Sequence, residues 1–137
     1  MWLFWCERGS LSHELVKKSE TVVLAIPGAS LAEETLACGL LSGKDTDKVQ
    51  QLDLNIDKVG GRGALGLTGA IANLDCDISG RAEFGDHITV FCEVKEFLVD
   101  DSVSELSLLS IGPRIDGHRL LARHGLHRIG VVETNKG

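Results

Sequence analysis

Residues 84–94 read Phe-Gly-Asp-His-Ile-Thr-Val-Phe-Cys-Glu-Val, and this stretch decides the fold class. Beyond the Gly-Asp pair, apolar residues occupy every second position, which is typical of a strand with one face in a hydrophobic core. Residues 70–78 alternate in the same way, with an asparagine and two aspartates on the face opposite the apolar side chains. The two runs predict a β-hairpin connected by residues 79–85, with His87 at the loop end of its second strand.

The composition predicts one small soluble domain over residues 1–137, since this length suffices to bury a core. The formal net charge of −6 disfavours a nucleic-acid partner, which needs clustered Lys and Arg. No apolar run reaches membrane-spanning length, and the apolar run at 1–6 lacks the leader and cleavage site of a signal peptide. The four cysteines show no Cys-x-x-Cys spacing, so we expect reduced, buried thiols in a cytoplasmic protein without a membrane partner.

The remaining pattern predicts a mainly β chain with peripheral helices, an α+β fold. Ser10 or Ser12 can cap a short helix that ends near Lys18, and Ser30 with Glu33 forms a capping box for a second helix. The other predicted elements are a buried strand at 21–27, a third helix capped by Asp45, a glycine-rich loop at 58–69, a strand continuing over 96–101, and strands at 105–111, 118–122 and 129–132.

Arg8, Ser10 and Ser12 lie at the turn into the first predicted helix. Free N–H groups and the positive end of the helix dipole favour a phosphate there, and arginine adds a bidentate donor. An ordinary helix cap with a surface arginine explains the same spacing and is the preferred interpretation from these residues alone. His13 fits either a ligand contact or the solvent side of the helix.

Asp86 and His87 also admit two interpretations. His87 can donate a hydrogen bond to a ligand at the mouth of the strand. The pair equally fits a polar turn in which Asp86 bonds nearby backbone groups.

A second basic group, comprising Arg123, His124, His127 and Arg128, stands near the end of this acidic chain. These residues fit a binding site for a phosphate or a dinucleotide, or else an ordinary solvated loop. No cysteine or carboxylate stands at ligand spacing beside the histidines, so no metal site is predicted. The glycine run at 60–63 lacks the Gly-Lys-Ser/Thr ending of a phosphate loop and is predicted as a loop over a pocket or on the surface.

Several segments share their type and order with one family. They are Arg-Gly-Ser-Leu-Ser-His-Glu-Leu-Val-Lys-Lys-Ser at 8–19, Val-Val-Leu-Ala-Ile-Pro at 22–27, Cys-Gly-Leu-Leu-Ser-Gly-Lys-Asp-Thr-Asp-Lys at 38–48, Ala-Asn-Leu-Asp-Cys at 72–76, Gly-Asp-His at 85–87 and Leu-Ala-Arg-His-Gly-Leu-His-Arg-Ile-Gly at 121–130. Together they resemble the flavin reductase-like group, which binds FMN on a split β-barrel. The usual member of that group has two strands before the phosphate turn, so we expect this chain to lack N-terminal strands.

The resemblance implies a split-barrel homodimer with FMN near the subunit interface and NAD(P)H as co-substrate. The apolar run at 1–6, for which no partner strand is predicted, supports the dimer. The implied catalytic residue is His87. The implied cofactor contacts are Arg8, Ser10, Ser12, His13, Asp86, His87, Arg123 and His127.

The implied function is a flavin reductase that passes hydride from NAD(P)H to flavin, with a partner protein as a possible electron acceptor. No catalytic triad or carboxylate pair stands out in the sequence, which fits a protein whose cofactor carries the chemistry. A non-enzymatic FMN electron carrier of the same fold and a degenerate remnant without flavin stay open as alternatives.

Overall fold

The computed structural model describes residues 1–104, and the predicted elements beyond them lie outside this part of the chain. The strands are β1 Trp2–Glu7, β2 Thr21–Ile26, β3 Ile56–Val59, β4 Ala64–Leu67, β5 Ala72–Phe84 and β6 His87–Val99. The helices are α1 Leu11–Val16, α2 Ala32–Leu40 and α3 Lys48–Gln51, and a 3₁₀ turn at Ala29–Leu31 leads into α2. The predicted mixture of strands with peripheral helices is confirmed. Between residues 1 and 104, no helix is long and apolar enough to cross a membrane.

An antiparallel sheet with the strand order β1-β6-β5-β2 carries the fold. Its centre is the predicted hairpin, in which β5 and β6 pair from Phe84↔His87 to Ala72↔Val99. The predicted connection at 79–85 is too long, because pairing continues to Phe84 and only Gly85 and Asp86 form the turn. Gly85 has a φ of 57°, a left-handed conformation that glycine adopts at little cost.

The apolar run at the start of the chain forms β1, which pairs along its length with β6. The expectation that this run lacks a partner is therefore wrong. The register places Trp2 opposite Cys92 and Glu7 opposite His87. It also brings the turn after β1 to the tip of the β5–β6 hairpin.

One face of the sheet forms the hydrophobic core, as the alternation in β6 predicts. Its buried members are Cys6, Val16, Cys76, Ile88, Val90 and Cys92. Burial is confirmed for three of the four cysteines and raises the pKa of each of these thiols, whereas Cys38 is only half-buried.

On the opposite face of β5, two polar residues near the start of the strand are also buried. Asn73 and Asp75 are almost fully buried because the β3–β4 hairpin lies against them. The Asn73 side chain accepts from the Leu67 N–H at 2.9 Å and donates to the Leu67 carbonyl at 3.0 Å. The predicted glycine-rich loop is thus a hairpin, and its turn places Arg62 Nε 3.5 Å from Asp75 Oδ2.

Two helix caps differ from their predicted positions. Leu31 rather than Ser30 stands at the N-cap of α2, because a 3₁₀ turn precedes the helix. Asp47 rather than Asp45 caps α3, and its carboxylate accepts from the Gln50 N–H at 3.2 Å.

Candidate functional site

The turn into α1 is fastened to the tip of the β5–β6 hairpin. The Arg8 N–H donates to the Asp86 carbonyl at 2.6 Å. The Arg8 guanidinium donates to the Glu83 carboxylate at 2.8 Å, and Lys17 Nζ lies 3.0 Å from the same carboxylate. The hydrogen bond from Lys17 and the charges of Lys17 and Arg8 lower the pKa of Glu83. Arg8 therefore already has an anionic partner within the chain.

The far end of α1 is held by the same hairpin. The Arg81 guanidinium donates to the Val16 carbonyl at 2.7 Å and to the Ser19 carbonyl. A cation at these positions satisfies carbonyl groups that a helix C-terminus leaves unpaired. The hairpin tip thus fixes both ends of α1 relative to the sheet.

Ser10 is the N-cap of α1, and Ser12 stands exposed in its first turn. The Ser10 hydroxyl accepts from the His13 N–H at 3.1 Å and donates to the Glu7 carbonyl at 2.8 Å. Of the two predicted caps, Ser10 is confirmed. Its hydroxyl proton is engaged by the backbone, whereas Ser12 is placed to meet a ligand.

His13 is buried, so its placement on the solvent side of α1 is wrong. The Gly9 N–H donates to His13 Nδ1 at 3.4 Å, which leaves the ring proton on Nε2. Nε2 is buried and has no hydrogen-bond partner within residues 1–104.

Asp86 and His87 form an exposed pair at the hairpin turn. His87 Nδ1 lies 2.7 Å from Asp86 Oδ1. This hydrogen bond, together with a backbone contact and the charge of His87, lowers the pKa of the Asp86 carboxyl. The carboxylate thereby orients the imidazole ring.

A polar cleft of about 540 Å³ lies between α1 and residues 38–49. Hydroxyl and ammonium groups on its wall belong to Ser10, Ser12, Ser42, Thr46 and Lys48. The Lys48 ammonium donates to the Cys38 carbonyl near the end of α2 at 2.6 Å, and this contact holds it at the wall. An ammonium group and hydroxyls together are suited to a phosphate. Asp47 also lines the cleft, and its carboxylate is engaged by the Gln50 N–H at the start of α3.

The loop that forms this wall is held against α1. Lys44 Nζ lies 2.6 Å from the Glu14 carboxylate across the two segments. A Cβ on Gly43 would lie 2.8 Å from Leu11 Cδ2, so the loop backbone passes close to the Leu11 side chain. The polar cleft is therefore built by contacts between α1 and the loop before α3.

An apolar cleft of about 710 Å³ adjoins the polar one, between β1, α1 and β2. Its apolar wall comprises Phe4, Trp5, Leu15, Val16 and Val22. The two clefts share Ser10, Ser12 and Gly39 and are therefore neighbours at the start of α1. Their walls match a ligand with an anionic end and a flat apolar end, and each volume lies within the range of roughly 300–1,000 Å³ usual for small-molecule sites.

The structure distributes the predicted site residues over two places. Ser10 and Ser12 line the clefts. Arg8, Asp86 and His87 belong to the charged cluster at the hairpin tip. The remaining predicted contacts, Arg123 and His127, lie outside the described residues.

Sequence reasoning missed the contribution of Ser42, Thr46 and Lys48 to the cleft. These residues belong to the run Ser-Gly-Lys-Asp-Thr-Asp-Lys at 42–48, which by its pattern only connects two helices. The available signal in the sequence was the concentration of hydroxyl and ammonium side chains beside a glycine in this run. The fold of this loop onto α1 is what converts that composition into a wall.

The comparison with family models decides the relationship. The model described as the flavin reductase like domain matches residues 1–116. The chain belongs to the flavin reductase-like family. The predicted resemblance is confirmed, and the match includes the clefts, α1 and the β5–β6 hairpin.

One relative is similar in sequence over part of the chain. An uncharacterized protein of Archaeoglobus fulgidus is 28% identical over 83 residues, which cover 61% of this chain. The chain spans about half of that relative's length, 47%.

Two solved structures show the same fold. The FMN-binding protein from Thermus thermophilus has a TM-score of 0.74 and 19% identity, with coverage of 98% of this chain and 71% of that one. An NADH:FAD oxidoreductase of Streptomyces globisporus has a TM-score of 0.65 and 19% identity, with coverage of 77% and 60%. The predicted split β-barrel is thereby confirmed.

Proposed function

We propose that the chain is a flavin reductase-like protein that binds FMN and passes hydride from NAD(P)H to the flavin. The observation that carries the proposal is the junction of a hydroxyl- and lysine-lined cleft with an aromatic and aliphatic one. Its occurrence in a chain of the flavin reductase-like family supports a flavin-related redox function. One fold neighbour is an NADH:FAD oxidoreductase, which supports a nicotinamide nucleotide as the donor.

The donor groups on the cleft walls fit a flavin nucleotide. Ser42 Oγ accepts from the Lys44 N–H at 3.2 Å, so its own proton can be donated to a phosphate. The Ser12 and Thr46 hydroxyls and the Lys48 ammonium would complete the set, with Ser10 fixing the turn. We retain Arg8 as a second cation for the phosphate, with Glu83 as its competing anion.

When bound, the isoalloxazine ring would supply the redox chemistry by accepting a hydride. The contribution of the chain is to bind and orient the reactants and to exclude water from them. Asp86 holds His87 by Nδ1, which leaves Nε2 to bond flavin or nicotinamide, and this is the catalytic role that we propose for His87. His13 would support the site from beneath α1, and Arg123 and His127 complete the proposed contacts.

We extend the proposal to the assembly. The protein is a cytoplasmic homodimer with flavin near the subunit interface. It passes electrons from the reduced flavin to a separate acceptor protein. The exposed side chains of Trp2, Leu3 and Trp5 on edge strand β1 support a partner subunit there.

Titration of the purified full chain with FMN, FAD and riboflavin by calorimetry tests the binding. NADH and NADPH oxidation is then followed with and without added FMN. We expect saturable FMN binding and oxidation that depends on flavin. An FMN electron carrier would bind flavin without oxidising either nicotinamide, and a chain that binds no flavin would contradict the proposal.

A further inference from the structure

The two faces of the main sheet are covered differently. One face carries the core, and α1 packs against it through Val16. On the other face, the β3–β4 hairpin covers the half that holds Asn73 and Asp75. The remaining half lies toward the tip of the β5–β6 hairpin. Large apolar side chains stay exposed there within residues 1–104, although the polar side chains of the same face are buried.

The register of the strands defines this exposed region, which we call the apolar patch. Its positions in β1 and β6 alternate with the core residues Cys6, Ile88 and Val90. The patch comprises Leu3 and Trp5 of β1, Phe91 of β6, and Ala82 and Phe84 of β5, with Leu3 opposite Phe91 and Phe84 opposite His87. It therefore extends across three neighbouring strands.

His87 lies beside this patch and not in the clefts of its own chain. It precedes the core residue Ile88, so the alternation places it on the face that carries Phe84. It lines neither cleft, whereas the apolar cleft is lined by the core-side residues Cys6 and Val16. The bond from Asp86 nevertheless orients the imidazole, as in a site that is built for a ligand. A ligand of His87 therefore has to come from outside these clefts.

The exposed area of the patch suits a second copy of the chain. With about 200 Å² for the surface of each large apolar residue, Leu3, Trp5 and Phe84 at 48%, 69% and 71% exposure present about 400 Å². In a two-fold contact the same patch comes from both copies, which gives about 750 Å² in total. A standard interface buries roughly 1,600 Å², of which roughly 900 Å² is apolar. The patch thus supplies most of the apolar area that a stable dimer needs.

Resting on the proposed function, we propose that two copies pack through the apolar patch and that the His87 of each copy serves the flavin site of the other. The apolar cleft opens beside β1, and β1 also carries the edge of the patch, so a partner on the patch lies next to the cleft. Each site then combines Ser12 and Lys48 of one copy with the partner's His87. This arrangement gives the Asp86–His87 pair a reactant on its own face of the sheet.

Mixed dimers test which copy supplies His87. One chain carries His87→Ala, and the other carries Lys48→Glu, which places a carboxylate where the flavin phosphate binds. Different affinity tags on the two chains allow the mixed dimer to be isolated. Each variant alone should oxidise nicotinamide roughly tenfold more slowly at a flavin concentration that saturates the parent, as expected for one lost hydrogen bond.

The mixed dimer has one site with an intact cleft and an intact His87 from the neighbouring copy. It should therefore recover about half of the parent turnover, since one of its two symmetric sites is complete. If His87 acted within its own chain, neither site would be complete and no activity would return. A mixed dimer of His87→Ala with His87→Gln is the matched control, and it should recover nothing.

A second measurement does not depend on the cleft variant. Leu3→Lys is compared with the double variant Leu3→Lys/His87→Ala at a concentration where light scattering gives the mass of a monomer. Without a partner, His87→Ala should change the turnover of flavin-loaded chains by less than about twofold. Melting temperatures check that these variants are folded, and the parent diluted to a monomer replaces Leu3→Lys if that variant is not.

The outcomes separate this inference from the proposed function. A mixed dimer as slow as its two variants, or a His87→Ala effect that persists in the monomer, overturns the action of His87 across the dimer and leaves flavin reduction standing. A parent chain that is a monomer, or a His87→Ala variant with normal turnover, overturns it as well. Failure of the parent chain to bind flavin or to oxidise nicotinamide overturns both.

Discussion

At the scale of single residues, three cations near α1 differ in what already holds them. Lys48 is bonded to a backbone carbonyl at the wall of the polar cleft, whereas Arg8 and Lys44 are paired with carboxylates. A carbonyl does not neutralise an ammonium group, so Lys48 keeps its charge available to an anion. Arg8 must share its charge with Glu83, and Lys44 with Glu14.

We predict that Lys48→Met weakens FMN by about 1.5–3 kcal/mol, the contribution of a hydrogen bond to a charged group, and leaves riboflavin nearly unchanged. Arg8→Ala should show the same preference with a smaller loss, because Glu83 competes for the guanidinium. Lys18→Met is the control and should affect neither ligand, because Lys18 is exposed and lines neither cleft. Calorimetric titration measures all three. Equal losses for FMN and riboflavin would show that these residues act on the fold rather than on a phosphate.

Cysteine reactivity gives a second prediction at this scale. Cys38 is half-buried on the wall of the polar cleft, whereas Cys6, Cys76 and Cys92 are buried thiols whose pKa is raised by burial. Because the thiolate is the reactive form, iodoacetamide should modify Cys38 first in the native chain. FMN should slow that modification, as peptide mass mapping would show. Urea should expose all four cysteines, and rapid labelling of Cys76 or Cys92 without urea would contradict the described core.

His87 provides the third prediction. His87→Ala removes the hydrogen bond that lowers the pKa of Asp86, so this carboxyl should titrate at a higher pH in the variant. In the parent, the stabilisation linked to Asp86 is present above the pKa of the unfolded state and is lost as pH falls through the lowered pKa of the folded state. Carboxyl NMR titration measures the change. The melting temperature at neutral pH should stay nearly constant, because both residues are exposed, and flavin reduction should slow. A large fall in melting temperature with normal turnover would show that the role of His87 is structural.

At the scale of elements, α1 is positioned by the hairpin rather than by its own length. A helix of six residues has little intrinsic stability, so contacts at its two ends decide whether it forms. Ser10 supplies the first cap and Arg81 the last one. The wall shared by the two clefts depends on this arrangement.

We predict that Arg81→Met destabilises the chain by about 1 kcal/mol, after allowance for solvent around the exposed part of the guanidinium. The carbonyl of Val16 at the end of α1 and that of Ser19 just beyond it lose their donor in this variant. Lys95→Met is the control, because its exposed ion pairs with Glu93 and Asp77 should contribute less than about 0.5 kcal/mol. Urea unfolding compares them. Equal stability losses would argue that Arg81 acts only as another surface charge.

The elements also show which features a sequence reveals. The β5–β6 hairpin was predictable because every second residue of β6 is apolar and enters one core. The length of its turn was not, since Ser79, Gly80 and Arg81 look like loop residues but lie at a β-bulge within the paired strands. The β3–β4 hairpin was hidden by its short strands and glycines, and only the tertiary contact with Asn73 fixes it. Lys48 was missed for a similar reason, because its place on a cleft depends on how the loop folds onto α1.

At the scale of the whole molecule, strand β1 bears on how the chain assembles. It lies at one edge of the described sheet, and Trp2, Leu3 and Trp5 on it are exposed. An apolar edge strand is prone to pair with another chain, and a two-fold dimer is the commonest way to cover such a surface. The apolar cleft opens beside the same strand, so a partner subunit there would also shield a bound ring from water.

We predict that the full chain is a homodimer at micromolar concentration and that Leu3→Lys shifts it toward the monomer, because a buried lysine ammonium at the contact would lose its hydration. Leu65→Lys is the matched control: Leu65 is similarly exposed but lies on β4, away from β1. Light scattering with size-exclusion chromatography gives the masses. Flavin affinity measured on the same samples asks whether the dimer completes the site, since a ring near the interface should bind more weakly to the Leu3→Lys monomer. If the parent chain has the mass of a monomer, the proposed homodimer is wrong. If Leu65→Lys yields a monomer, the interface lies at the β3–β4 hairpin rather than at β1.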